Sequence, residues 1–373
     1  MNAITVVILI FSMLGALDRI FGNKFGLGAE FERGFNLFGA MALSMIGMII
    51  IAPALAIWLK PVFEGFYQIF HIDPSVIPAS LFANDMGGAS LATKLAKDSN
   101  IGRYNAYVVS SMMGCVISFS IPFGASVVPA EKHKDMFFGF LCGIVTIPVG
   151  CFVAGFMCGL SFLQIIVNLL PLILLSALIT VGIIFVPNLC VKILCGFGTF
   201  MKAIITIGLA LGIFSVLTGK TVVPSFDTLH EGARVCVNAA VTLSGAFPFV
   251  YVVGKILKKP ASAFGRKVGI NPTSTLALIT NLVSNSTTFG MMRDMDKKGV
   301  VLNSAFAVSA AFVFGSHLGF TMGLEPSAVA PMIVGKLISG VAALVLAMFI
   351  YKGDKEDKKD TNTTEEVAEI TVG

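Results

Sequence analysis

From Met136 to Val191 the chain carries no Asp, Glu, Lys, Arg or His. Four further windows, 34–59, 104–130, 203–219 and 235–254, are equally free of all five residue types. A helix that crosses a bilayer needs about 20 consecutive apolar residues, so each of the four windows suits one crossing. The longer stretch exceeds one crossing and is expected to turn near Gly159 to Gln164. With 13% charged residues, against about 25% in an ordinary soluble chain, the protein lacks the means to clothe a surface for water. Met1 to Leu17 is apolar but has no basic leader and no small-residue cleavage site, so it reads as a first membrane helix and not as a signal peptide.

The charges that remain lie mainly between the apolar windows and act as topology signals. A net charge of +5 over 373 residues, with no basic stripe interleaved with aromatics, excludes nucleic acid as an expected partner. The seven cysteines are scattered, mostly inside apolar segments, and none has His or Asp company at metal-site spacing. They read as small buried thiols, and no metal or cofactor is expected.

The chain is written twice. Met1 and Ala3-Ile4 match Met201 and Ala203-Ile204, Lys60-Pro61 matches Lys259-Pro260, and Asp73-Pro74 parallels Asn271-Pro272. Asn84 then meets Asn281, Asn105 meets Asn303, Ser118 meets Ser316 and Gly143 meets Gly340, while the offset drifts only from 200 to 197. Ordered matches at near-constant spacing point to a duplication. The reading is a repeat unit over 1–160, a linker with one membrane helix over 161–200, a second unit over 201–350 and a disordered cytoplasmic tail over 351–373. In the first unit helices are expected near 2–17, 34–59, 104–124 and 137–158. In the second they fall near 201–218, 233–254, 300–322 and 331–350, and the linker helix near 164–186.

Each unit also holds one atypical segment, near 74–95 and near 272–291. Both open with Pro and then turn rich in small and polar residues, through Asn84-Asp-Met-Gly-Gly-Ala-Ser90 and Asn281-Leu-Val-Ser-Asn-Ser-Thr-Thr288. If both segments dip into the membrane and return, 19 of the 26 basic residues fall on the cytoplasmic side; if both cross, 15 do. The bias of Lys and Arg toward the cytoplasm favours re-entry. The expected architecture is therefore an all-α membrane protein of two inverted repeats, about nine transmembrane helices and two re-entrant segments. Inverted repeats around discontinuous segments are a transporter design, because two copies can exchange conformations about a site between them.

Asp85 is the one charge between Pro74 and Thr93, and an intramembrane carboxylate is a functional hypothesis by default. With Asn84 it suits an alkylammonium ligand, which needs an opposite charge and several acceptors in place of water. Capping of a half-helix fits Asp85 as well. The second unit offers Asn281, Ser284, Asn285, Ser286, Thr287 and Thr288 in place of an acid. These side chains both donate to and accept from a hydroxyl, and they also serve as helix caps and interhelix partners. The matched pairs Asn105/Asn303 and Ser118/Ser316 complete the candidate set. So does His317, in a run without other charges from Gly299 to Leu324, where a proton-responsive group and a hydrogen-bonded structural histidine both fit.

The strings Phe82-Ala-Asn-Asp-Met-Gly-Gly-Ala-Ser-Leu-Ala92, Ser284-Asn-Ser-Thr-Thr-Phe-Gly-Met-Met-Arg-Asp294 and Ala311-Phe-Val-Phe-Gly-Ser-His-Leu-Gly-Phe320 resemble the ethanolamine permease family of EutH type, over roughly residues 1–352. The resemblance implies a multi-pass protein of the inner membrane that helps ethanolamine enter when the amine is scarce or mostly protonated. It carries over no ligand residue. The partners expected are ethanolamine or a similar small polar solute and the lipid bilayer, with a homo-oligomer compatible with the chain. The alternatives are a sodium- or proton-coupled symporter of another small polar solute, a pore, and a membrane-embedded enzyme. The last is poorly supplied, with four His residues and no His-Glu-x-x-His motif.

Overall fold

The structure, a computed structural model, describes residues 3–223 and 225–351; the expected tail lies outside the described residues from 352 onward. In the first half, α1 (Ala3–Ile20) turns a corner into α2 (Leu27–Asn36) and α3 (Phe38–Phe70), and the short α4 (Val76–Leu81) and α5 (Gly88–Leu95) follow. Then α6 (Ser99–Tyr104) and α7 (Ile121–Val127) join into one helical span through π-helical winding over Asn105–Gly114 and Val116–Ser120, and α8 (His133–Met157) returns. The connecting pair is α9 (Phe162–Phe185) and α10 (Pro187–Thr218). The second half continues with α11 (Leu229–Val268), α12 (Pro272–Asn281), α13 (Asn285–Met291), α14 (Lys297–Ala310), α15 (Ser316–Leu324) and α16 (Val329–Ile350).

Among the described residues eight helical stretches are long and apolar enough to cross a membrane. This is an integral membrane protein built of helices. The uncharged stretch turns where expected: Gly159 takes a left-handed conformation, and Ser161 and Gln164 cap α9 reciprocally. The sequence reading places a further span over 300–322, but the chain breaks there at Ala311–Gly315, between α14 and α15. The first helix of the second half is also longer than expected, since α10 begins at Pro187, with only Val186 separating it from the end of α9 at Phe185.

Burial sorts the helices into an inside and an outside. The Ser99–Val127 span is 78% buried over its most apolar stretch, against 17% for α1 and 22% for α10. Around the central span pack α8, α14 and α16, whereas α1, α9 and α10 turn Leu9, Leu174 and Leu217 outward. Such a perimeter suits lipid and would be unstable in water. At 1.5 Å per residue, α3 and α11 run for roughly 50 and 60 Å, which exceeds a hydrocarbon core of about 30 Å. Both are therefore longer than one straight crossing requires.

Each atypical segment folds as a hairpin whose two ends meet. Asp73 Oδ2 accepts from the backbone N–H of Lys97 and of Asp98, both at 2.9 Å, while Oδ1 accepts from Ser75. In the second half Asn271 donates from its backbone to Asp296 Oδ1 and from its side chain to the Asp294 carbonyl, again at 2.9 Å. The long helices before them stop in matching fashion, on left-handed His71 and left-handed Gly269. Pro272 then takes the first helical position of α12, where a missing N–H costs nothing, and Pro74 lies in the turn that leads into α4.

Helix α3 meets α10 backbone to backbone. A Cβ on Gly47 would lie 1.8 Å from the Ile205 carbonyl oxygen, and one on Gly208 would lie 2.2 Å from the Gly47 oxygen. Close backbone approach is how helices associate where no hydrophobic effect drives them. Gly47→Val is expected to push the two helices apart at a cost of at least roughly 1–3 kcal/mol. Thermal unfolding of purified protein in detergent checks this; an unshifted midpoint would show that the contact is dispensable.

Candidate functional site

The hairpins carry their polar residues at the tips. In the first, α4 ends at Leu81, Phe82 is extended, Asn84–Met86 make one 3-10 turn, and Gly87 at φ 105° reverses the chain into α5. Only glycine takes that φ without strain. Gly88 must also be bare, because a Cβ would stand 2.1 Å from the Phe82 carbonyl oxygen. The opened backbone is held by Ser118, whose hydroxyl accepts from Ala83 N at 3.0 Å and donates to the Gly114 carbonyl at 2.7 Å.

The second hairpin breaks after Asn281 and restarts at Asn285, with Ser284 as N-cap accepting from Thr287 N. Its open carbonyls are taken up by the broken span beside it. Phe312 N donates to Asn281 O at 3.2 Å and Phe314 N to Leu282 O at 2.8 Å. Phe312 sits at φ 58°, a left-handed conformation that costs a bulky residue on the order of 1–3 kcal/mol. Gly315 allows the close approach, since a Cβ there would meet the Val283 oxygen at 2.1 Å. The break between α14 and α15 is thus built by the hairpin that it touches.

Helix α15, which starts right after that break, faces the other hairpin. Asn84 Nδ2 donates to Thr321 Oγ1 at 3.3 Å, and Ser316 lies beside Asp85. Asp85 lies at the first turn of α15, where backbone N–H groups favour an anion. His317 Nε2 stands 3.8 Å from Asp85 Oδ1, and His317 Nδ1 stands 3.2 Å from Lys336 Nζ. Lys336 donates in turn to the Ser111 carbonyl at 2.5 Å, in the π-helical stretch. The arrangement is reciprocal, because the second hairpin reaches the first half's span through Asn285 Nδ2 and Ser120 Oγ, 3.0 Å apart. One acceptor on each of Asn84, Asn281 and Asn285, the side-chain Oδ1, is buried without a hydrogen-bond partner. Buried polar atoms are rarely left so. Three amide oxygens at the tips have free capacity to accept from a donor or to face a cation. Among the described residues no group of three or more His, Cys, Asp or Glu is placed to hold a metal ion.

The family model described as "Ethanolamine utilisation protein, EutH" matches residues 1–350. The chain belongs to this family. Its relatives include the "Probable ethanolamine permease EutH" of Listeria monocytogenes, 41% identical over 96% of this chain and 95% of that one. The Escherichia coli protein of the same name is 35% identical over 98% of each chain, and "Uncharacterized protein YxeR" of Bacillus subtilis is 36% identical over 94% of each. No solved structure matches the chain. Family and fold together make this EutH-family protein a multi-pass membrane permease.

The candidate residues divide between tips and roots. Asn84, Asp85, Ser316 and His317 come together at the first tip, and Ser118 supports that tip from below. Asn281, Ser284 and Asn285 form the second tip, with Ser286 half-buried, Thr287 exposed, and Thr288 bonding back to Ala277 and Ser284. Asn105 stands at the root of the first hairpin and Asn303 ties the root of the second to its tip, both fully buried with their side chains engaged by the protein. Asn105 donates to Ser75 and pairs with Asn168, while Asn303 donates to the Ser274 carbonyl and accepts from Asn281. The residue that sequence reasoning passes over is Lys336. It is the one charge in the Val329–Ile350 helix and is fully buried. An unaccompanied lysine in an apolar span was a sufficient signal.

Removing the Ser118 hydroxyl leaves the Ala83 N–H without its acceptor in the protein interior. Ser118→Ala is expected to destabilise the protein by about 1–3 kcal/mol and to loosen the first tip selectively. Hydrogen exchange at residues 82–88 reads this directly, and unchanged protection there would contradict the support role.

Proposed function

We propose that this protein carries ethanolamine inward across the cell (inner) membrane by facilitated transport. The observation that carries the reading is the first hairpin tip. There a carboxylate in the middle of the molecule, Asp85, stands beside the unpartnered amide oxygen of Asn84. Ethanolamine has a primary ammonium, protonated at neutral pH as lysine is, and an alcohol. Its three N–H donors find a charge at Asp85 and an acceptor at Asn84. The hydroxyl is assigned to the Ser and Asn groups of the opposing tip, Ser284 and Asn285 foremost. The names of the relatives support the solute, and the carboxylate supports its cationic form.

The mechanism proposed is alternating access between two inverted repeats, residues 1–160 and 201–350. Each hairpin enters the membrane and returns to the face it came from, and each tip touches the span of the other half. Movement of one half relative to the other would open the tip region to one side and then to the other. The meeting of the hairpin ends at Asp73 and at Asn271 supports re-entry, as does the concentration of basic residues on one side. Ser262 and Arg293 flank the second hairpin and are exposed. With Ser262→Cys and Arg293→Cys, an impermeant thiol reagent is expected to label both positions from the same face of oriented vesicles. Labelling from opposite faces would refute the re-entrant topology.

An alkylamine crosses lipid unaided mainly in its neutral form, so a carrier matters most when acid keeps the amine charged. Asp85→Asn is expected to cut saturable uptake of labelled ethanolamine into proteoliposomes roughly tenfold or more in acid, the worth of one charge-assisted hydrogen bond. At alkaline pH, where diffusion of the neutral amine dominates, the difference should shrink. Equal uptake by variant and wild type in acid would remove Asp85 from the site.

A further inference from the structure

Asp85, His317 and Lys336 form a row inside the protein, and each of the three side chains comes from a different element. A lysine ammonium has donors and no acceptor, so the nitrogen that faces it, His317 Nδ1 at 3.2 Å, is the acceptor. The imidazole proton then sits on Nε2, on the side of Asp85. The row reads N–H to N, then N–H toward carboxylate, with every hydrogen aimed from lysine to aspartate. The gap of 3.8 Å between Nε2 and Oδ1 closes by a small rotation of the imidazole or by one bridging water. Side-chain exposure is graded along the row: 12% for Asp85, 1% for His317 and 0% for Lys336. Only the aspartate end keeps accessible surface.

The titratable groups facing Lys336 are few. The Ser99–Val127 span presents Cys115, α8 presents Cys151, α15 presents His317 and the hairpin tip presents Asp85. Asp85 is the one carboxylate among them, so the buried site is neutral when lysine is charged and aspartate ionised. A second cation placed on Asp85 would leave the site with one uncompensated buried charge, an arrangement proteins avoid.

We propose that the permease releases one proton for each alkylammonium it binds, with Lys336 as the proton store, His317 as the relay and Asp85 as the port shared by proton and substrate. This rests on the transport reading above. As substrate approaches, the Lys336 Nζ–H bond breaks and the proton passes to His317 Nδ1. The proton on His317 Nε2 passes to Asp85 Oδ1 and from there to water. The re-formed carboxylate pairs with the arriving ammonium. Lys336 is left as a neutral amine that accepts from Nδ1–H, and the bare Nε2 becomes an acceptor turned toward the substrate. One proton leaves, one cation enters, and the site stays neutral. Release of substrate on the other side reverses each step with a proton from that side. The net event is exchange of an alkylammonium for a proton, which moves no charge across the membrane.

Calorimetry of ethanolamine binding to the purified full chain, in buffers of different ionisation enthalpy at neutral pH, counts the protons released. The expected results are one proton for wild type, none for Lys336→Met, and none with weakened binding for Lys336→Arg, whose fixed charge leaves the bound ammonium uncompensated. Arginine keeps the charge and the donors but does not deprotonate, so it decides the question if the methionine variant fails to fold. Wild-type binding without proton release would overturn the exchange. So would release that persists in either variant, since the proton would then be the ligand's own. Absence of any binding heat in wild type would instead strike the ethanolamine reading itself. In proteoliposomes, final accumulation by wild type is expected to be indifferent to an imposed membrane potential of either sign, and voltage-driven accumulation would overturn electroneutral exchange.

Discussion

Backbone that leaves the helix inside a membrane has no water to turn to, and every N–H and C=O set free must find a partner in the protein. The architecture of this permease follows from that constraint. Two hairpins break at their tips and one long span breaks beside them. The broken ends satisfy one another: the Ser118 hydroxyl takes the Ala83 N–H, while the Asn281 and Leu282 carbonyls take the N–H groups of Phe312 and Phe314. At the roots, the Asp73 carboxylate and the Asn271–Asp296 pair close each hairpin by gathering the N–H and C=O groups left at the ends of neighbouring helices. Remove these partners and a hairpin with a broken tip loses the groups that satisfy its backbone.

The polar atoms that remain unpartnered stand out against this background of satisfaction. Oxygens on Asn84, Asn281 and Asn285 are buried and idle, while almost every other buried side-chain group nearby is engaged. The two tips differ in charge. The first carries an acid and meets a histidine and a lysine, whereas the second carries amides and hydroxyls alone. That difference is what the proposed solute, with a cationic end and a neutral polar end, would use.

Much of this was legible in the chain as written. The uncharged windows located the spans, the two Pro-led polar strings located the hairpins, and the isolated Asp85 marked a tip. Asn105 and Asn303 were visible as a matched pair, but their place at the roots depends on Ser75, Asn168 and Ser274, side chains and carbonyls about 30 to 60 positions away in sequence. The break at Ala311–Gly315 had no local signal. Ala-Phe-Val-Phe-Gly reads as ordinary apolar helix, and it opens because carbonyls of a distant hairpin capture its N–H groups. Lys336 was open to notice as a lone charge in an apolar span, yet nothing in its neighbourhood along the chain named His317 or Asp85 as its company.

Alternation of charge and hydropathy along one dimension settles which segments enter lipid, because the cost of burying a charge is large and local. That much, with the family, belonged to the sequence alone. Which polar groups meet, which are left idle and where a helix opens were decided by the tertiary structure. A hydrogen bond depends on a few tenths of an ångström between atoms that the chain itself keeps far apart.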